Sequence, residues 1–156
     1  MYAFSQEAEQ KIEKILLKYP NKVSALLPLL TLTQREESYI SPDAMEEIGR
    51  RLDVSPAYVQ SVLTFYTMYS TQPVGKYVIL FCINISCQLN GCDDLLDYTA
   101  KKLCIEPGET TPDKKFTLKR EECLADCTRG PMMRVNDIYH GNLTCEKIDQ
   151  ILDSLA

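Results

Sequence analysis

The hydrophobic period of the chain changes once, across STQPVG at residues 70–75, and that change limits what the polypeptide can fold into. Before it, apolar residues recur at helical spacing. After it, YVILFC at residues 77–82 is an unbroken run of β-branched and aromatic residues, the pattern of a strand buried on both faces. Pro73 and Gly75 give the changeover the turn chemistry of a boundary. The expected division is a helical bundle over residues 1–70 and an α/β domain over residues 76–156.

Within the first part, Ala8, Ile12, Ile15, Leu16 and Tyr19 form one stripe that Pro20 ends, so an amphipathic helix is predicted from Ser5 to Tyr19. A second helix is predicted from about Lys22 to Glu37, bent where Pro28 removes a backbone donor. Ser41-Pro42 and Ser55-Pro56 each place a capping oxygen before a proline at the first helical position, and so start two more. In the second part a helix is expected over residues 91–103, a strand over 116–122, a strand pair over 132–136 and 138–140, and a last helix capped by Thr144. The order βαββα describes a small α/β sandwich of thioredoxin-like outline, making the whole an α+β protein.

Composition removes most functional classes. The formal net charge of −5 provides no cationic footprint for nucleic acid. A single histidine, His140, builds neither a two-histidine metal site nor a catalytic triad of obvious quality, and is expected as a solvated side chain. The six glycines are scattered, so neither a dinucleotide-binding turn nor a phosphate-binding loop can be assembled. No apolar stretch approaches the roughly 18 to 20 residues of a membrane span, so direct membrane insertion is not expected. The N-terminal sequence lacks the marks of a secretory or transit peptide and is expected to begin the folded part.

What remains unusual is seven cysteines, which in a reducing compartment serve as metal ligands or redox groups more often than as disulfides. Two pairs stand out, Cys82 with Cys87 and Cys123 with Cys127, each where a predicted strand runs into a loop. A binuclear iron-sulfur cluster takes four thiolates, two on each iron, and C-x4-C is one of its known steps. Structural zinc, disulfide chemistry and plain core packing use cysteine too, although zinc favours tighter C-x2-C knuckles. Cys92 repeats the interval after Cys87, so spacing does not choose between those two pairs. Its place in a first helical turn, on the apolar side, suits a small buried hydrophobe. Cys104 and Cys145 fall on helical segments and are expected as core or surface thiols.

The strings C-INIS-C-QLNG, GETTPDKKFTL and E-C-LAD-C-TRGP, with PVGKY before them and TFYTMYS closing the helical part, resemble the E-subunit family of NADH-quinone oxidoreductases. These are [2Fe-2S] subunits of respiratory complex I. The resemblance is strong from about Ser41 onward and weak over the first 40 residues. It implies a helical domain followed by a thioredoxin-like domain with one [2Fe-2S] cluster, its ligands falling on Cys82, Cys87, Cys123 and Cys127. It also implies a partner of the F-subunit type that binds FMN and NADH, further peripheral-arm subunits, and a place on the cytoplasmic face of the inner membrane. The implied role is one-electron transfer from the partner's reduced flavin, with no acid-base catalyst in this chain. The same module resembles small subunits of NAD-dependent formate dehydrogenases and bidirectional hydrogenases. A zinc-stabilised docking module and a free-standing ferredoxin are the other readings.

Two local features carry expectations of their own. The family usually has Gly-Ala where this chain has Ala125-Asp126, and Arg129-Gly130 precede Pro131. A carboxylate at Asp126 opposes reduction of an anionic cluster, and Arg129 offsets it. Asn84, Ser86 and backbone amides of residues 83–91 are candidate donors to the sulfurs. Phe65, Tyr66, Met68 and Tyr69 crowd the end of the fourth helix and are expected to help hold the flavin subunit.

Overall fold

Four helices begin at side chains that satisfy otherwise unpaired amides. Ser5 Oγ accepts from the Ala8 amide at 3.1 Å, Ser41 Oγ from Ala44 at 3.2 Å, Ser55 Oγ from Tyr58 at 3.2 Å and Thr144 Oγ1 from Lys147 at 3.2 Å. These open α1 (Gln6–Lys18), α3 (Pro42–Leu52), α4 (Pro56–Phe65) and α7 (Cys145–Ser154) in a computed structural model that describes residues 2–155. Met1 and Ala156, the ends of the two expected segments, lie outside the described residues. The expected bend at Pro28 is absent. Lys22–Ala25 forms a separate 3-10 turn and α2 spans Leu26–Glu37, so Pro28 sits in the first turn of a helix that has no use for its missing N–H.

Chain contacts divide the molecule into two compact units, one ending at Pro73 and one starting at Val74. In the first, Ile12, Leu29, Leu30, Ile48, Val59 and Leu63 are buried against one another. Arg51 ties α1 to α3 at the rim, reaching Glu9 at 2.5 Å and Glu47 at 2.6 Å.

In the second unit β1 (Tyr77–Cys82) is central, β2 (Phe116–Glu121) runs parallel to it, and β3 (Met133–Val135) and β4 (Ile138–His140) continue antiparallel on the other side, in the order β2-β1-β3-β4. The parallel pair requires a crossover, supplied by α5 (Ile85–Leu89) and α6 (Cys92–Leu103). Ile79, Phe81, Leu118 and Met133 pack with Leu96, Ile148 and Leu152, while Leu80 and Cys82 are buried too, so β1 is covered on both faces. Helix α5 stands where the sequence predicts only loop, because five residues are too few to display a helical period.

The GETTPD stretch is a cover for the outer edge of β2. Glu109 O accepts from the Leu118 amide at 3.1 Å, Gly108 N donates to Leu118 O at 2.7 Å, and Thr111 Oγ1 accepts from Phe116 N at 3.0 Å. Thr117 Oγ1, buried, accepts from Gly75 N at 2.6 Å and lies 2.8 Å from Thr110 Oγ1. An edge strand covered in this way offers no free ladder for another chain.

Candidate metal centre

Strand β1 delivers Cys82 at its C-terminal end, where the Cys82 amide donates to Met132 O at 3.2 Å and Ile83 N donates to Glu121 O at 2.9 Å. The chain then turns through Asn84 into α5, which caps itself through backbone alone. On this short helix Cys87 faces inward and is fully buried, while Ile85 and Leu89, two residues to either side, are 62% and 80% exposed. Cys82, Cys87 and Cys92 form one buried cluster with Leu124 and Met132. Burial first, and then the hydrogen-bonded Cys82 side chain, push the Cys87 thiol up to about 12. Burial and the Asp93 charge push Cys92 to about 11. A thiol so placed loses its proton to solvent readily only when a cation binds its sulfur.

The second loop leaves β2 and carries Cys123 and Cys127, both exposed. Cys123 Sγ accepts a hydrogen bond from the Ala125 amide at 3.3 Å. Ala125 holds a left-handed backbone at φ 57, which is the physical reason that glycine suits this step; a side chain there costs about 1–2 kcal/mol. Cys127–Arg129 is a 3-10 turn, and Arg129 donates to the Asp126 carboxylate, through Nε at 2.7 Å and through Nη2. The guanidinium holds the Asp126 carboxyl below the usual carboxylate range.

Gly130 is where the two loops meet. A Cβ placed on it would lie 3.5 Å from Cys87 Sγ, and its amide donates to Cys127 O at 3.3 Å, so the turn after Cys127 passes beside the sulfur of the first loop. Among the described residues no three Cys, His, Asp or Glu groups converge as ligands of one ion. Cys82 and Cys87 come from the first segment, clustered there with Cys92, and Cys123 and Cys127 come from the second; a binuclear cluster takes two thiolates to each iron.

Other expected residues fall differently. Cys92 opens α6 with its thiol directed to Asp93 Oδ1 at 3.9 Å. Cys104 is exposed at the end of α6, and Cys145, half-buried, begins α7. His140 is half-buried on β4 and not freely solvated; desolvation, and then Lys147, lower its pKa. The Ser86 carbonyl is engaged by Asn90 Nδ2 at 2.7 Å. Among the described residues the Ala125 amide donates to the Cys123 sulfur and the Met132 backbone to the Cys87 sulfur, donors that no sequence pattern announces because every residue but proline has one.

The aromatic end of α4 needs one correction. Phe65 and Met68 are 78% and 51% exposed, but Tyr69 is buried, donating to Leu27 O at 3.0 Å and lying 2.9 Å from Thr31 Oγ1. Its hydroxyl finds polar partners on α2, so it belongs to the core. Beside the exposed pair, Leu27, Tyr58, Val62, Phe65 and Tyr66 line a groove of about 440 Å³.

Comparison with known proteins adds what geometry does not. The chain matches the thioredoxin-like [2Fe-2S] ferredoxin family over residues 12–156. It is 39% identical over 145 residues to the second E-type subunit of the NADH-quinone oxidoreductase of Rhizobium meliloti, covering 93% of this chain and 86% of that one. It is 39% identical over 158 residues to the NADH-quinone oxidoreductase E-type subunit of Rickettsia felis, covering 99% and 95%. A crystal structure of an air-oxidized NAD+-reducing [NiFe]-hydrogenase shares the fold with a TM-score of 0.69 at 22% identity, over 81% of this chain and 22% of that one. Similarity of this extent, running through both units and both cysteine loops, makes the chain a member of the thioredoxin-like [2Fe-2S] ferredoxin family and, within it, of the E-subunit group of NADH-quinone oxidoreductases.

Proposed function

We propose that this chain is the electron-transfer subunit of an NADH-quinone oxidoreductase, with Cys82, Cys87, Cys123 and Cys127 as the thiolate ligands of one [2Fe-2S] cluster. In this role the chain accepts one electron at a time from reduced FMN, which a partner of the F-subunit type carries together with the NADH site. The observation that supports the reading is the place of Gly130, whose amide donates to the Cys127 carbonyl at 3.3 Å and whose open side faces Cys87 Sγ, 3.5 Å from where a Cβ would stand, so that the two cysteine loops adjoin. The bound cluster supplies a one-electron redox centre. The chain's own residues do the rest. Cys82 and Cys87, buried beneath Leu124 and Met132, hold their side of the site in a low-dielectric setting. The Ala125 amide places a hydrogen bond on the Cys123 sulfur, which stabilises the more negative state. Asp126 and Arg129 set opposing charges beside Cys127. Cys92 packs as a small apolar side chain and is not a ligand.

The partner reading places the flavin subunit on the exposed end of α4, where Phe65, Tyr66 and Met68 stand beside the groove. Among the described residues no helix is long and apolar enough to cross a membrane, which suits a peripheral subunit at the cytoplasmic face.

The test is iron, zinc and acid-labile sulfide per chain after anaerobic purification. About two irons and two sulfides are expected in the wild type and in Cys92→Ala, and loss of both in Cys87→Ala and Cys123→Ala. About one zinc without sulfide overturns the reading. Co-purification with the flavin subunit should fall in Phe65→Ala/Tyr66→Ala; unchanged recovery removes the docking assignment.

A further inference from the structure

The loop that carries Cys127 is held from behind by a segment twelve residues further along the chain. Asn142 N donates to Arg129 O at 2.6 Å, and Leu143 N donates to Pro131 O at 3.0 Å. Just before these two bonds the backbone of Gly141 lies against Arg129 so closely that a Cβ would stand 2.5 Å from Arg129 Cβ and 2.7 Å from Arg129 O. Gly141 is not in the left-handed region, so glycine is needed here for space and not for conformational freedom. The carbonyl of Gly141 is fastened in turn to α7, accepting from Lys147 Nζ at 2.5 Å.

These contacts form one line. Lys147 on α7 holds Gly141, Gly141 backs Arg129, and the next residue, Gly130, donates to the Cys127 carbonyl at 3.3 Å and passes beside Cys87 Sγ, 3.5 Å from where a Cβ would stand. We infer that Gly141 is a positioning residue of the metal centre, setting how closely the Cys123–Cys127 loop approaches the Cys82–Cys87 loop. The inference rests on the ligand assignment proposed above. An added methyl group moves Arg129 by about 0.5 Å or more before a tolerable 3.0 Å contact is reached, and an obstacle made of backbone cannot rotate away. The displacement passes to Gly130 and to the turn that holds Cys127, because the bonds from Asn142 and Leu143 grip both sides of that residue.

The experiment compares wild type, Gly141→Ala and Gly75→Ala as full chains purified anaerobically. Gly75 is the matched control: a Cβ there would lie 2.8 Å from Phe116 C and 2.9 Å from Lys115 O, the same kind of backbone clash in the same unit, at the end of β2 remote from Cys123. Both variants should unfold at lower temperature than wild type. Only Gly141→Ala should change the g values of the reduced protein in electron paramagnetic resonance and release iron to a chelator faster, about 10-fold, the size expected when support behind a ligand is lost. Wild type that holds iron and sulfide, with a Gly141→Ala spectrum and iron release matching those of Gly75→Ala, overturns the inference and leaves the ligand assignment standing. Wild type that holds neither overturns the ligand assignment and this inference with it. Lys147→Met, which keeps the aliphatic stem and removes the donor to Gly141, is measured alongside, so that a Gly141→Ala protein that fails to fold does not decide the matter. Faster iron release than wild type supports the inference, and unchanged release overturns it.

Discussion

Thr117→Val replaces a hydroxyl by a methyl group of nearly the same shape at a position only 1% exposed. In the native protein Thr117 Oγ1 accepts from the buried Gly75 amide at 2.6 Å and shares a 2.8 Å hydrogen bond with Thr110 Oγ1. Valine takes away the acceptor and leaves the Gly75 N–H enclosed without a partner, at a cost of about 1–3 kcal/mol. The lost bond to Thr110 adds about 1 kcal/mol, since Thr110 regains part of its bonding from solvent. One buried methyl group returns about 0.8 kcal/mol. The net destabilisation is about 2 kcal/mol. For a domain of 60–100 residues, which includes the second unit, that lowers the melting temperature by roughly 8–15 °C. Urea unfolding followed by far-UV circular dichroism, on wild type, Thr117→Val and Thr117→Ser, measures it. Serine keeps the oxygen and loses only the methyl group, so it should cost about 1 kcal/mol. A Thr117→Val protein within about 0.5 kcal/mol of wild type, or a serine variant no more stable than the valine one, refutes the reasoning. The visible spectrum of the centre should be the same in all three, because this bond lies at the end of β2 away from Cys123.

Asp126→Ala should raise the midpoint potential of the centre and Arg129→Ala should lower it, by similar amounts and less at high salt; shifts of the same sign in a redox titration show that geometry, not charge, is responsible. Tyr69→Phe, which leaves Leu27 O and Thr31 Oγ1 without their partner, should cost about 1–2 kcal/mol in thermal unfolding, whereas the exposed Phe65→Ala should cost less than about 0.5 kcal/mol. Hydrogen bonds from Arg50 and then Arg51 hold the Glu47 carboxyl down at about 2. Because its pKa is lower in the folded chain, this pairing contributes fully above the unfolded value of about 4.5 and is lost as pH falls toward about 2. Allowing for screening at the rim, the loss is about 1 kcal/mol, and Arg50→Ala/Arg51→Ala should flatten the stability profile across that window.

Much of the molecule is legible from residue order because its signals are local. Ser41-Pro42 and Ser55-Pro56 mark helix starts within one turn, and the run from Tyr77 to Cys82 marks a covered strand by its own composition. Pro28 misleads because the effect of a proline depends on its distance from a helix start, and the element before that start is a 3-10 turn without a sequence signature. Tyr69 misleads because exposure belongs to what packs around a ring. Its partners Thr31 and Leu27 lie 38 and 42 residues away.

Local signals alone therefore specify the change from helical to mixed structure near residue 73, the helix caps and the central strand, and the motifs specify the family. The metal centre depends on the folded arrangement. C-x4-C occurs twice in succession, and the fold buries Cys87 and Cys92 alike with Cys82, Cys87 beside Gly130 of the neighbouring loop and Cys92 at the start of a helix, toward Asp93. The approach of Gly130 to Cys87, and of Gly141 to Arg129, brings together residues 43 and 12 positions apart that no periodicity links. Caps and periods depend on neighbours within a turn or two of the backbone, whereas a metal centre depends on which distant segments a folded sheet brings face to face.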